Sequence, residues 1–210
     1  MPISSTTWQD HAWKNELALQ AERAVLHGRE VIDEDFQGTH SPLDMLERAV
    51  VLAGFCIRRL VEKRLVTDAF AESKRAILSF PVRSSEAFRP PYRSSSGGTA
   101  FRNYDFESPA ILEMTVAELA NEIIHSSQLM VLDGESFADD GFLIASDWHL
   151  KKRLLHMSFD EFTAFTTSVL DDRVYFTSDR WDPETGKISH ERLGPANFRE
   201  KLNAKTGEDL

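Results

Sequence analysis

The chain has a single cysteine, Cys56, so an intramolecular disulfide is impossible. Cys56 sits within an apolar run, which indicates a buried thiol that packs as a small hydrophobic side chain. No apolar run approaches the roughly 20 residues that a membrane-spanning helix needs, so no membrane association is predicted. The first ten residues contain neither a basic segment nor an apolar one, so no secretory signal is predicted. We therefore expect a cytoplasmic protein.

An excess of positive charge is also missing. The chain has 34 Asp and Glu residues against 24 Lys and Arg residues, which gives a formal net charge of -10. This balance opposes nonspecific attachment to nucleic acids or anionic membranes, although it leaves room for a local basic site. The sequence contains no glycine-rich phosphate loop, nucleophile elbow or His-Glu-x-x-His motif, and no cofactor is predicted.

The N-terminal half is predicted to be helical. Apolar residues recur at spacings of three and four over residues 8–36, as on one face of an amphipathic helix. Ser41 as N-cap, Pro42 at the first helical position and Asp44 in the first turn mark the start of a second helix. Its stretch 49–57 is almost wholly apolar, which indicates a central helix covered on most sides.

The C-terminal half alternates strand and turn signals. Capping boxes that begin at Thr115 and Ser158 each predict a helix, and the turn 182–186 predicts a hairpin. With a length suited to one domain, the chain is predicted to be a single α+β domain over 1–210. It consists of a helical bundle over about 8–126, a small antiparallel sheet and helix over about 127–195, and a frayed tail over 200–210. The predicted strands are 128–132, 142–146, 153–157, 174–181 and 187–193, with a further extended segment at 76–82.

Residues 83–108 form a long stretch without sustained periodicity. Its arginines are interleaved with aromatic residues, a composition that suits single-stranded RNA or a phosphorylated ligand. The favoured alternative is a solvated connection that its aromatic residues pin to the helical bundle. In either case this loop is the best candidate for a partner-binding element. The residues predicted here to contact RNA or a partner are Arg89, Tyr92, Arg93 and Arg102.

The most specific feature is the pair Asn121 and His125 on the helix that Thr115 opens. The two residues are four positions apart, so both project from one face of that helix. An amide at this spacing can orient an imidazole, and an imidazole titrates near neutrality and can move protons at a phosphodiester. The alternative is a buried polar pair that satisfies backbone groups where the helix meets the sheet.

Two long N-terminal helices followed by a helix bearing Asn-x-x-x-His-Ser resemble the HEPN superfamily. The resemblance implies a helical bundle, often dimeric, and a metal-independent ribonuclease of toxin, abortive-infection or anti-phage systems. The family motif pairs an Arg, commonly followed by a polar residue, with a His four to six residues later. Asn121 and His125 match the last two positions, whereas residues 118–120 lack the Arg. Arg58 or Arg59 on the central helix would have to supply the phosphate-stabilising cation.

Two functions are therefore predicted. The first is an RNA-directed, HEPN-like protein of bacterial stress or phage defence, in which His125 is the acid–base group and Asn121 orients it. The alternative is a non-catalytic interaction or regulatory protein that acts through a helical homodimer and the Arg/aromatic loop. The missing motif Arg and the acidic charge favour the alternative, whereas the capped Asn-x-x-x-His helix and the basic loop favour the first.

A metal site is not predicted. His149 and His156 are seven residues apart with Asp147 nearby, and these residue types are metal ligands in many proteins. Their spacing matches no closed zinc site, and there are no cysteine ligands to complete one. A metal-dependent hydrolase is the third and weakest hypothesis.

Overall fold

The helices of the chain come mostly from its first half, as the periodicity predicts. The computed structural model describes residues 10–33, 39–84, 88, 102–134 and 140–206. Pro42 occupies the first turn of α2, while the Ser41 side chain makes no cap hydrogen bond. The six helices within the described ranges are α1 (Asp10–Ile32), α2 (Pro42–Glu62), α3 (Asp68–Glu72), α4 (Val116–Ile124), α5 (Phe159–Asp171) and α6 (Pro195–Thr206).

The strands form one five-stranded sheet and one hairpin, so the predicted α+β class is confirmed. The large sheet has the order β2-β1-β5-β4-β3, and the smaller one pairs β6 with β7. All the pairings are antiparallel. The strands are β1 (Lys74–Pro81), β2 (Ala110–Thr115), β3 (Ser126–Leu132), β4 (Gly141–Ser146), β5 (Arg153–Ser158), β6 (Phe176–Trp181) and β7 (Ile188–Leu193).

Strand β2 was missed by the sequence analysis, and the predicted boundary near residue 127 does not separate helices from strands. Both β1 and β2 precede that boundary and supply two of the five strands. The signal for β2 is weak because it is an edge strand. Ala110, Ile111 and Glu113 are exposed, and Met114 is its one buried residue, so the apolar alternation expected of a half-buried strand is absent.

The helix-covered face of the large sheet carries the main core. Phe142 and Ile144 of β4 and Leu155 and Met157 of β5 pack there with the buried faces of α1, α2, α4 and α5. Cys56 of α2 lies in this core, and burial, with a smaller contribution from the charge of Glu16, raises the pKa of its thiol to about 11. The predicted buried role of this cysteine is confirmed.

The opposite face of the sheet is covered by residues of the long predicted loop 83–108. Phe88 and Tyr104 are buried there with Phe80, Leu143 and Leu154. The Tyr104 hydroxyl donates to the Leu150 carbonyl over 2.7 Å, and burial raises the pKa of this phenol. The prediction that aromatic residues pin this segment to the helical bundle is therefore wrong for its described part, because they pack on the sheet instead.

Candidate functional site

Helix α4 is fixed at both its start and its buried face. Thr115 Oγ1 accepts from the Glu118 backbone N–H, and Glu118 Oε2 accepts from the Thr115 N–H at 2.8 Å, which confirms the predicted capping box. These bonds from the Thr115 backbone and hydroxyl lower the pKa of the Glu118 carboxyl. Gly54 of α2 lets α4 approach closely, since a Cβ there would lie 2.6 Å from Ile123 Cγ2. The helix is thereby held against α2.

That close approach brings Arg58 of α2 to Asn121 of α4. Arg58 lies one turn beyond Gly54, and its Nη1 donates to Asn121 Oδ1. Its Nε donates to Glu62 Oε1 at 2.6 Å, so the guanidinium is held between the two helices. The structure therefore places one of the two predicted substitute cations at the predicted amide.

The turn between β4 and β5 presents a second set of side chains to α4. The His149 N–H donates to the Ser146 carbonyl at 2.9 Å, and the Arg153 N–H donates to the His149 carbonyl at 2.9 Å. These bonds wind the turn like a helix, so His149 and Arg153 lie one turn apart on the same side. Both side chains reach the neighbouring helix α4 at Glu122.

Glu122 is the buried centre of this cluster, with only 4% of the residue exposed. Its Oε1 pairs with His149 Nδ1 and accepts from Arg153 Nη2 over 3.0 Å, while Oε2 accepts from the Ser146 N–H over 3.4 Å. A carboxylate removed from water needs such partners, because burying an unpaired charge costs several kcal/mol. The fold thus keeps a buried carboxylate, paired with an imidazole and a guanidinium, beside open space.

The open space is a cleft of about 380 Å³. The His149 side chain is 29% exposed. Because its Nδ1 faces Glu122, its other ring nitrogen, Nε2, is left without a partner within the described part of the chain. Arg153 Nε is likewise buried without a partner among these residues. We call this site the Glu122 cleft; it is lined by Leu112, Glu113, Met114, Glu118, Asn121, Glu122, Trp148, His149 and Arg153.

The predicted pair Asn121 and His125 makes separate contacts. The Asn121 side chain pairs with Arg58, as described above, and it lines the cleft. His125 caps the C-terminus of α4, is exposed, and packs its ring 4.5 Å from that of Trp148. The amide and the imidazole thus lie on adjacent turns of the chain, each with its own partner.

The other residues predicted to bind RNA or a partner lie apart from this cluster or outside the description. Arg59 packs over the Trp13 ring at 5.6 Å and forms an ion pair with Glu62 over 3.9 Å. Arg102 is exposed in the short segment that precedes Tyr104. Arg89, Tyr92 and Arg93 lie outside the described residues.

Of the three residues at the centre of the cleft, Glu122 and Arg153 are not predicted from the sequence, and His149 is considered there only as a metal ligand. Two signals were present. Glu122 is a carboxylate that directly precedes two isoleucines on a predicted helix, and His149 and Arg153 have the i, i+4 spacing of one helical turn. Neither signal identifies the residue that the side chain contacts, because the partners are distant in the sequence. Glu122 and Arg153, for example, are 31 positions apart.

A second opening lies between α1 and α5 and has a volume of about 550 Å³. Its walls are mostly apolar side chains and threonines, including Val25, Leu26, Phe159 and Leu170, with Arg29 among the few charged residues. Leu26 is 54% exposed. We call this opening the α1/α5 groove.

Comparison of the chain with known protein families, with curated proteins and with solved structures found no match. Across the ranges that the structure describes, no helix combines the length and apolar character needed to cross a membrane. Among these same residues, no group of three or more His, Cys, Asp and Glu side chains has a geometry that could hold a metal ion.

Proposed function

We propose that the Glu122 cleft is an acid–base site that acts on RNA without a metal ion, with His149 as the proton-transfer group. The observation that carries the proposal is the pairing of His149 Nδ1 with buried Glu122, which leaves Nε2 for a substrate. A carboxylate that fixes one ring nitrogen sets the tautomer and the orientation of the imidazole. The HEPN-like resemblance and a role in bacterial stress or phage defence stay predictions.

The chemistry follows from these groups. His149 Nε2 accepts the proton of a ribose 2′-hydroxyl, and the 2′ oxygen attacks the adjacent phosphorus. The bond from phosphorus to the 5′ oxygen breaks, and water gives that oxygen a proton. The hydroxide that remains takes the proton from His149, which restores the neutral imidazole. The products are a 2′,3′-cyclic phosphate and a 5′-hydroxyl. Arg153, beside His149, stabilises the negative charge that develops on the phosphoryl oxygens.

This assignment moves the acid–base role from His125 to His149 and supplies the cation that the motif lacks. Arg153 is already held beside the imidazole by their shared partner, Glu122. Arg58, anchored on Asn121, contributes a second positive charge at the adjoining helix. In this proposal Asn121 positions Arg58 and does not orient an imidazole.

The test is cleavage of a mixed RNA pool by purified protein in the presence of EDTA. We expect His149→Ala to lower the rate by about 10²- to 10⁴-fold, the usual contribution of a positioned general base. His190→Ala is the matched control, because His190 also pairs with a carboxylate, Asp179, and is 28% exposed. Equal rates for wild type and His149→Ala would contradict the proposal. A loss seen only in His125→Ala would return the role to His125.

A second candidate function is a non-catalytic interaction protein that forms a helical homodimer. The α1/α5 groove favours it, since α1 also exposes Leu19 and Leu26 seven residues apart on one face. We expect sedimentation equilibrium to show a dimer that Leu26→Asp converts to a monomer. The same monomeric mass for both proteins at micromolar concentrations would remove this candidate.

A further inference from the structure

Trp148 is an exposed aromatic residue at the lining of the Glu122 cleft. It is 63% exposed, although most indole rings of folded proteins are largely buried. The His125 ring packs against it at 4.5 Å with an interplanar angle of 51°. The Asp147 N–H also donates to the His125 carbonyl over 3.3 Å, which ties the turn to the end of α4. The contacts with His125 therefore hold the Trp148 indole in place while the ring stays exposed to solvent.

The neighbours of Trp148 limit what can bind beside it. His149, which carries the free ring nitrogen, lines the same cleft as Trp148, so a base on the indole would bring its own ribose and phosphate into that cleft. Glu113 and Glu118 also line the cleft, and the net charge of the chain is -10. These charges oppose a long run of phosphates, so the cationic groups of the cleft suit one or two.

We infer that Trp148, supported by His125, is a stacking platform for one unpaired base, so that the cleft takes single-stranded RNA one nucleotide at a time. The inference rests on the proposed function of the same cleft and names its substrate class. Aromatic side chains stack on the faces of bases, and a base held within a duplex does not offer its faces. The platform therefore selects unpaired nucleotides, while His149 and Arg153 act on the neighbouring phosphate.

The test measures binding separately from cleavage. The probe is a fluorescently labelled 2′-O-methyl oligoribonucleotide, which keeps the bases and phosphates but lacks the attacking hydroxyl. Anisotropy is measured for wild type, Trp148→Ala, Trp148→Phe and Trp181→Ala, with circular dichroism as the check on folding. Trp181 is the matched control, because it lies on β6 and is 59% exposed.

We expect Trp148→Ala to weaken binding by about tenfold or more, the effect of losing one stacked base. Trp148→Phe should keep most of the affinity, and Trp181→Ala all of it. A duplex of the same sequence should bind at least about tenfold more weakly, because its bases are paired. The salt dependence should have a slope between zero and about −1.4, which corresponds to at most two phosphates at about −0.7 each.

Several outcomes would overturn the inference: no binding by wild type, equal binding by Trp148→Ala, equal losses in the two tryptophan variants, or equal affinity for duplex. Other outcomes test the proposed function independently of this inference. Binding that depends on Trp148, with no cleavage of unmodified RNA, would reject the ribonuclease chemistry and keep the platform. Cleavage that depends on His149 but not on Trp148 would do the reverse.

Discussion

The Glu122 cleft and the α1/α5 groove are both open, yet their walls differ in kind. The groove is the larger, at about 550 Å³ against about 380 Å³, and its lining is dominated by aliphatic side chains and hydroxyls. The cleft contains a carboxylate, an imidazole and a guanidinium in mutual contact. Burying a charged group costs free energy, which the contacts within this cluster offset. We therefore base the proposed site of chemistry on the converging charged groups of the Glu122 cleft and not on volume.

The largest expected effect on stability comes from a substitution in the Glu122 cleft. Glu122→Ala leaves Arg153 and His149 without their shared partner, and we expect it to lower the free energy of unfolding by about 3 kcal/mol, the lower end for breaking a buried pair. The lower end applies because the Arg153 side chain is 23% exposed and partly solvated. Urea unfolding measures this. Exposed Glu113→Ala, on the same cleft, should change stability by less than about 0.5 kcal/mol, and equal effects would contradict the account.

At the α1/α5 groove, we expect a substitution to change stability through packing alone. A Cβ on Gly28 of α1 would lie 2.1 Å from Cζ of Phe159, a ring that is only 4% exposed. We expect Gly28→Ala to lower the free energy of unfolding by about 2 kcal/mol, because overpacking exceeds the gain in helix propensity. RNA cleavage, measured well below the unfolding midpoint, should be unchanged. A large loss of activity in the folded variant would show that the groove takes part in the reaction.

Two helices, one beside each opening, begin with the same kind of cap. Thr115 caps α4, which carries Glu122, and Ser158 caps α5, which lines the groove; both have complete capping boxes. We expect Thr115→Ala and Ser158→Ala each to cost about 1 kcal/mol in thermal or urea unfolding. Only Thr115→Ala should also slow RNA cleavage, since its helix positions Glu122. An equal slowing by both variants would mean that activity simply follows stability.

The smallest effect concerns a hairpin outside both openings. Hydrogen bonds from Arg192 and then His190 lower the pKa of Asp179 from its ordinary 3.8 to about 2. Because the folded-state pKa is depressed, the stabilisation is complete above pH 3.8 and is lost as the pH falls through about 2. Asp179→Asn should therefore flatten the fall of the melting temperature over this window. An unchanged pH profile would show that the pair contributes nothing measurable.

Much of the fold follows from local signals in the sequence. Both predicted capping boxes are confirmed, and so is the hairpin at 182–186, where Gly186 has the positive φ of +64° that favours glycine. Each of these features depends on residues within one turn of each other, so it can be recognised from the sequence alone. Strand β2 was missed because an exposed edge strand after a long connection has little apolar alternation.

The site was only partly predictable. Asn121 and Arg58 were both named from the sequence, and the structure joins them although they are 63 residues apart. The cluster of Glu122, His149 and Arg153 depends on how the β4–β5 turn docks against α4. No local pattern encodes that docking, because each of these residue types is also common on solvated surfaces. The geometry of the turn was needed to show that His149 has a buried carboxylate partner.

In our proposal, ligands of this protein bind next to His149 in the Glu122 cleft. The most direct measurement is a histidine-selective NMR titration of the wild-type protein with a single-stranded 2′-O-methyl oligoribonucleotide, which separates the seven imidazoles of the chain. We predict that the signals of His149 and His125 shift together and saturably, while those of His27 and His190 stay in place. Saturable shifts at His27 of α1, with His149 unmoved, would contradict the account.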